Sequence, residues 1–345
     1  MIKQREISNV YGRNGSGLQD TFDLMTDFAL ENAVIIAMTL IFRGTMTSTG
    51  GGAISGFHRD APCGLMTNAK LQGGYAGGLA KNRRVIFDMP PQQMFYPGVY
   101  LSGVFNALLR TSAGAASTDP IRATIPVPLV DRLADTAKMT YIDPRDYTSL
   151  NLDVRWDTDA NLASTNLSTV QAVECEVMLT ILEDFFPRGT SHYEPNIVYK
   201  ELACDSASTR LTDNGDVTWD GDLWSIWFQQ FDDSATGDSE RVDGLVRALS
   251  LLGSKGEAIP WVRWDILRRL TWAKYNYALS TTEIAGVAAA SFKGAPRRAR
   301  NGHVKVVRNT SEANPPGVTA ITPGSNDTLM TTAIAAEGVY ARQGK

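Results

Sequence analysis

The chain has 345 residues, enough for about two domains, and is 43% apolar and 20% charged, a balance too apolar for disorder. Its formal net charge of −4 excludes a protein whose whole surface neutralises nucleic-acid phosphates. The longest apolar run, residues 33–42, is about half the ~20 residues a bilayer span needs. The first seven residues lack the apolar core of a signal peptide, so the expectation is a soluble chain made in the cytoplasm.

From the N-terminus, Gly12, Gly15 and Gly17 make residues 1–18 an arm outside any core, mildly basic through Lys3, Arg5 and Arg13. The apolar run Val34–Phe42 opens a strand predicted over 34–48, and a further strand is predicted at 84–89. Residues 128–138 predict a short helix with Leu129, Leu133 and Ala134 on one face. Leu150, Leu152, Val154 and Trp156 then alternate strictly with polar residues, the mark of a strand with one buried and one wet face. Val173, Cys175, Val177, Leu179 and Ile181 repeat that pattern. Their outward neighbours turn apolar at Met178 and Leu182, which predicts that this end is covered.

Residues 185–195 hold two prolines and a glycine, which places a domain boundary between 190 and 191. The two domains are then 19–190 and 191–345. Beyond the boundary, strands are predicted at 217–231, 303–309 and 328–340. A helix is predicted over 262–279, with Ile266, Leu267 and Leu270 on its apolar face and Arg268 and Arg269 outward. Gly- and Pro-rich stretches at 48–52, 73–78 and 314–317 punctuate the strands. The fold class is therefore all-β, a sandwich or jelly roll with short helical insertions.

The second half reads as a worn copy of the first. Residues 64–73 align with 244–253, with Gly, Leu, Leu and Gly at matching positions. About twenty residues upstream each copy has an apolar run, Val34–Phe42 and Leu223–Phe231. A repeat of this length is too long for a solenoid unit and fits two whole domains of one fold.

Catalytic chemistry is thinly represented. His58, His192 and His303 are isolated from one another, with no metal-ligand spacing, and no serine sits in a nucleophile elbow. No cofactor, metal or enzymatic activity is expected. Cys63, Cys175 and Cys204 are far apart and read as free, buried thiols. The pair Asp157 and Asp159, and the loop at Asp213–Asp216, offer oxygen ligands to Ca²⁺ or simply make turns.

Arg297, Arg298 and Arg300 form the most basic stretch, open to nucleic acid, lipid headgroups, an acidic neighbouring subunit or plain solvent. Six of the seven tryptophans lie between Trp219 and Trp272. Trp224 and Trp227 fall on opposite faces of one strand, which calls for a second layer or another subunit.

These features resemble the double jelly-roll major capsid proteins of membrane-containing icosahedral viruses, with a bacteriophage the expected source. The resemblance rests on Ala37–Thr47, on Ile125–Pro128 followed by Tyr141–Pro144 and the strand at 150–156, and on the strand at 173–182. It implies two tandem eight-stranded jelly rolls and homotrimers forming pseudo-hexameric capsomers. It also implies a virion capsid location after synthesis in the host cytoplasm, and contacts with neighbouring capsomers and with penton or minor capsid proteins. The arm, through Lys3, Arg5 and Arg13, would reach a neighbouring capsomer or the internal membrane. Trp224, Trp227, Arg297, Arg298 and Arg300 would lie between subunits, with no sequence-specific nucleic-acid binding. The alternatives are a viral spike, vertex or tail jelly-roll protein, or a lectin, binding carbohydrate, and a β-sandwich glycoside hydrolase.

Overall fold

The structure, a computed structural model, describes residues 3–15, 17–57, 61–75, 83–102, 114–134, 137–159, 162–185, 192–203, 212–218, 222–232, 240–241, 246–253, 256–275, 287–291, 301–308 and 328–339. Two compact units divide it, Met1–Ile197 with Ala336–Lys345, and Val198–Ala335. Cys204, Arg297, Arg298 and Arg300 lie outside the described residues.

The first unit contains β1 (Lys3–Gly12), β2 (Gln19–Asp23), α1 (Leu24–Phe28), β3 (Ala33–Ser48), β4 (Ser55–Phe57), β5 (Met66–Tyr75), β6 (Arg83–Met89), α2 (Pro91–Ser102), β7 (Thr118–Pro126), β8 (Tyr147–Trp156), β9 (Ala163–Thr165) and β10 (Leu167–Glu183). Setting aside the three-residue strands β4 and β9, eight strands remain, and all their pairings are antiparallel. The first pairs with the eighth (β1 with β10), the second with the seventh (β2 with β8), the third with the sixth (β3 with β7) and the fourth with the fifth (β5 with β6). One long hairpin rolled up in this way gives sheets in the order β1-β10-β3-β7 and β2-β8-β5-β6. That is a jelly roll.

The alternating strands explain the roll. Leu150, Leu152, Val154 and Trp156 of β8 are buried, as are Val173, Cys175, Val177, Leu179 and Ile181 of β10. Period-2 patterning turns these sets to one side, where the two sheets share a core. Phe42 and Trp156 meet across it with ring centroids 6.1 Å apart. Cys63 and Cys175 are free and buried, and burial pushes the Cys175 thiol up to about 12.

Two expectations change here. Residues 3–12 are no arm: β1 is the first strand of the roll, in register with β10 from Lys3 opposite Glu183 to Gly12 opposite Glu174. The pattern hides this because an edge strand buries half a face; of its inward side only Ile7 and Tyr11 are large and non-polar. The helix expected at 128–138 does not form. Among the described residues, 127–131 carry no regular structure and a short 3-10 turn occupies Ala137–Met139, since the backbone of Leu129 and Ala134 closes local turns instead. The longer of this unit's two described α-helices is α2, where Gly98 lets the backbone lie directly on the Pro126 carbonyl of β7.

The second unit follows the same order: β11 (His192–Ala203), β12 (Thr212–Thr218), β13 (Asp222–Asp232), β14 (Glu240–Arg241), β15 (Val246–Gly253), β16 (Gly256–Arg263), α3 (Trp264–Tyr275), β17 (Val287–Ser291), β18 (Asn301–Arg308) and β19 (Thr328–Val339). Strand β11 straddles the division between the units. With the two-residue β14 set aside, the pairs are again first with eighth (β11 with β19), second with seventh (β12 with β18), third with sixth (β13 with β17) and fourth with fifth (β15 with β16). The span 217–231, expected as one strand, contains the end of β12 and most of β13. The aligned repeats fall on the same strand of each roll: β5 and β15 are both fourth strands, and the apolar runs lie in the third strands β3 and β13. The two twelve-residue helices sit between the fifth and sixth strands and pack on the sixth, α2 on β7 and α3 on β17.

Candidate assembly surfaces

In the first roll β1 ends one sheet and β2 ends the other, so the two together form an open side. Tyr11 of β1 stacks on Phe22 of β2 at 3.9 Å and donates to Asp27 of α1 at 2.6 Å, closing the gap between the sheets. Burial and that bond keep the Tyr11 phenol protonated well above its ordinary range. Arg5 faces inward opposite Ile181 and reaches Glu183 at 3.2 Å. An inward-pointing charge on an edge strand discourages unlimited sheet-to-sheet growth.

Because consecutive strands run in opposite directions, alternate connections gather at the same end of the roll. Among the described residues, one end collects 13–15, 17–18, 49–57, 61–65, 90–102, 114–117, 157–159 and 162–166. Arg13 spans that end: its side chain is 10% exposed, and it donates to Asp159 at 2.8 Å and to the Val170 carbonyl. Asp20, also buried, accepts from the Trp156 indole at 2.6 Å and from Asn14. The Asp157 carbonyl accepts from Gly17, while the Asp159 carboxylate is taken by Arg13 and by the Val170 backbone. These carboxylates thus fasten loops. Of the three basic residues assigned to an arm, Lys3 and Arg5 are at the surface and Arg13 is a strut.

Among the described residues, the opposite end collects 24–32, 127–134, 137–146 and 184–185. There the first residues of β11 are clasped. Tyr141 stacks on His192 at 4.4 Å and meets Phe185 edge-on, and its backbone N–H donates to the Tyr193 carbonyl. His192 Nε2 lies 3.7 Å from an Asp146 carboxylate oxygen, and Arg84 pairs with the buried Glu194 at 3.0 Å. Burial lowers the His192 pKa; Asp146 and Asp143 oppose that shift only partly. Tyr141, buried beside Asp143, is pushed up to about 12.

In the second roll residues 223–230 of β13 are buried without exception. Trp227 packs against Tyr275 of α3 with centroids 5.2 Å apart, and Thr271 Oγ1 exchanges hydrogen bonds with the backbone of Ala289 in β17. The second layer demanded by Trp224 and Trp227 is therefore supplied, at least over Trp227, by the chain's own helix. Both tryptophans are buried within one copy, which removes them from the intersubunit contacts expected of them. Neither offers a stacking face to a sugar.

The helix is rotated from the expectation: Leu267 is buried and Arg269 exposed as expected, but Arg268 exchanges places with Ile266 and Leu270. Trp264, Leu267, Arg268, Thr271 and Tyr275 are buried, whereas Ile266 is 46% and Leu270 58% exposed. Arg268 lies over the Trp272 ring at 4.6 Å, its charge covered by an aromatic face. Two stripes compete on this helix. The winning stripe carries an aromatic residue at each end, Trp264 and Tyr275, and that larger apolar area was the available signal.

At the level of sequence no family model and no curated protein matches the chain. Solved structures do match along its whole length. The major capsid protein of Sulfolobus Turreted Icosahedral Virus superposes with a TM-score of 0.68 at 12% identity, covering 99% of this chain and 98% of its own. The fold is that of double jelly-roll major capsid proteins. PBCV-1 VP54 gives 0.58 at 11% identity, over 100% of this chain and 97% of that one. The Faustovirus major capsid protein gives 0.55 at 9% identity, over 99% and 90%. At such identities the likeness is one of fold, carried by strand order and not by side chains.

Proposed function

We propose that this chain is a major capsid protein, a structural subunit whose two jelly rolls stand as two corners of a six-cornered tile when three copies join. The observation that carries the reading is the duplication: each roll has the same eight-strand pairing, with a helix at the same connection, and the pair extends over the full length of capsid proteins of the same fold. Two like domains in one chain under threefold symmetry place six similar rolls around an axis, and closed cyclic assembly is the common outcome for soluble oligomers.

The homotrimer would tile with neighbouring capsomers and meet penton or minor capsid proteins at the vertices, in an icosahedral virion enclosing an internal membrane. Lys3 and the exposed Arg5 are the described N-terminal cations that remain at the surface for an anionic neighbour. The long insertions at 48–82 and 232–243 are the candidates for outward projections.

Electron microscopy and native mass measurement of the purified chain test this. Trimers with a pseudo-hexagonal outline, or closed shells from the parent particle, are the expected result. A chain that stays monomeric at all concentrations and forms no tile would overturn it.

A further inference from the structure

We propose that His192 is an acid-released latch, holding the first residues of β11 on the first roll while its ring is neutral and letting them go when the ring takes a proton.

His192 stands where the chain enters β11, a strand that runs from the first unit into the second. Its side chain is only 8% exposed, an unusual place for a group that changes charge near neutral pH. The ring lies flat on Tyr141, with 4.4 Å between centroids and 11° between planes. Phe185 braces Tyr141 in turn, edge-on at 5.3 Å. Backbone is joined at the same place. The Tyr141 N–H donates to the Tyr193 carbonyl at 3.0 Å, and Thr140 bridges to Tyr193. Moving the ring therefore strains the hydrogen bond that seats the strand.

The ring is held by stacking, with nothing ready to receive a charge at Nε2. That nitrogen is buried and has no hydrogen-bond partner among the described residues. Asp146 Oδ2 is 3.7 Å away, beyond hydrogen-bond reach. The other charges around the ring are engaged with one another. Arg145 grips Asp143 through two bonds of 2.8 and 2.6 Å, and Arg84 of β6 pairs with the buried Glu194 at 3.0 Å. A proton on Nε2 would thus create a buried cation with two guanidiniums nearby and its nearest carboxylate out of reach. Burial is the largest influence keeping the ring neutral; Arg145 and Arg84 act the same way, and Asp146 and Asp143 oppose it only partly.

Once the strand lifts, Nε2 meets water and can be charged without that cost, so proton uptake and opening favour each other. Above about pH 6.5, the ordinary value of an exposed imidazole, the latch is indifferent to pH. Below it the open fraction climbs, until the solution is acidic enough to charge the closed latch as well.

Hydrogen exchange on the full chain tests this, read at single residues and corrected for the intrinsic pH dependence of exchange. The Tyr141 amide is the reporter, because its acceptor is Tyr193; amides of β10, paired on both sides, are the reference. Between about pH 7.5 and 5, protection of Tyr141 relative to β10 should fall by about three- to thirtyfold. The His192 ring, followed by its own resonance, should titrate with a midpoint below 6.5. His192→Phe keeps a ring to stack on Tyr141 and cannot take the proton, so its protection should not change over that range. A smaller loss of protection in the parent, or a ring midpoint at or above 6.5, overturns the latch. So does a folded His192→Phe chain that loses protection on acidification as the parent does. Should that variant fail to fold, the amide and ring titrations of the parent still decide. None of these readings depends on assembly, so the capsid proposal stands or falls separately.

Discussion

The two rolls share the pairing of their eight main strands and differ in how each treats the helix between the fifth and sixth. In the first, α2 buries most of its residues and Gly98 brings helix backbone onto strand backbone. In the second, α3 is held by side chains, the Thr271 hydroxyl on Ala289 and Tyr275 on Trp227, with one face open. Topology therefore does not dictate surface. The pairing order is kept by hydrogen bonds that any residue supplies, while the faces turned outward depend on a handful of side chains free to diverge.

The largest expected effect tests whether the first roll needs its first strand. Deleting residues 1–12 removes one of the two partners of β10, leaving only β3, and uncovers Leu179, Val177 and Cys175 along that edge. The first roll should fail to fold, seen as lost solubility and lost near-ultraviolet dichroism. A folded, soluble product would restore the arm reading.

Next come the large aromatics, one in each roll. Trp156→Ala empties the first core and leaves the buried Asp20 carboxylate without its indole donor; Trp227→Ala does the same to the α3 layer. Each should cost about 3–5 kcal/mol. Calorimetry should show which of the rolls each one weakens, and a single shared transition shifted equally by both would show that the rolls melt as one.

The helix contrast gives a middling effect. Gly98→Ala drives a Cβ into the Pro126 carbonyl and should cost about 1–3 kcal/mol by overpacking. Thr271→Val, which removes hydrogen bonds but little volume, should cost about 1–2 kcal/mol. Denaturant melts compare the two directly. If Gly98→Ala is neutral, the close approach of α2 to β7 is wrong.

Arg13 and Arg5 separate strut from surface. Arg13→Ala should cost about 1–3 kcal/mol, since it strips a largely buried cation from Asp159 and the Val170 carbonyl. Arg5→Ala breaks an exposed pair and should cost less than about 1 kcal/mol.

The smallest effect is a pH dependence. His192 has a folded pKa below its ordinary value of 6.5, so the unfolded chain takes the proton first as pH falls. Its contribution is full above about pH 6.5 and declines as the solution is acidified below that point. Melting temperatures of the parent and of His192→Gln, compared at neutral and mildly acidic pH, should converge on acidification. A gap that stays constant would show that His192 does not titrate against folding.

Much of this was legible in the sequence because strands with one buried face write their pattern at period two. The strands at 150–156 and 173–182 were read with their buried sets correct, and the repeat landed on equivalent strands of the two rolls. The outer strands were harder. The inward side of β1 includes Lys3, Arg5 and Asn9, an edge that partners only β10 and shows little hydrophobic periodicity. On α3 two stripes of similar strength compete, and local spacing alone does not rank them.

Alternation by itself determined that the chain is all-β, a sandwich or jelly roll, since burying one face of each strand is a local requirement repeated along the sequence. The aligned repeat pointed to two like domains, and two tandem jelly rolls were what the family resemblance implied. Which strand lies beside which, that residues 3–12 complete the first roll, and that Arg268 turns inward while Leu270 turns out were decided only in three dimensions. Those outcomes depend on partners distant in sequence, β10 for β1 and β13 with β17 for α3, whose packing outweighs any preference the local segment carries.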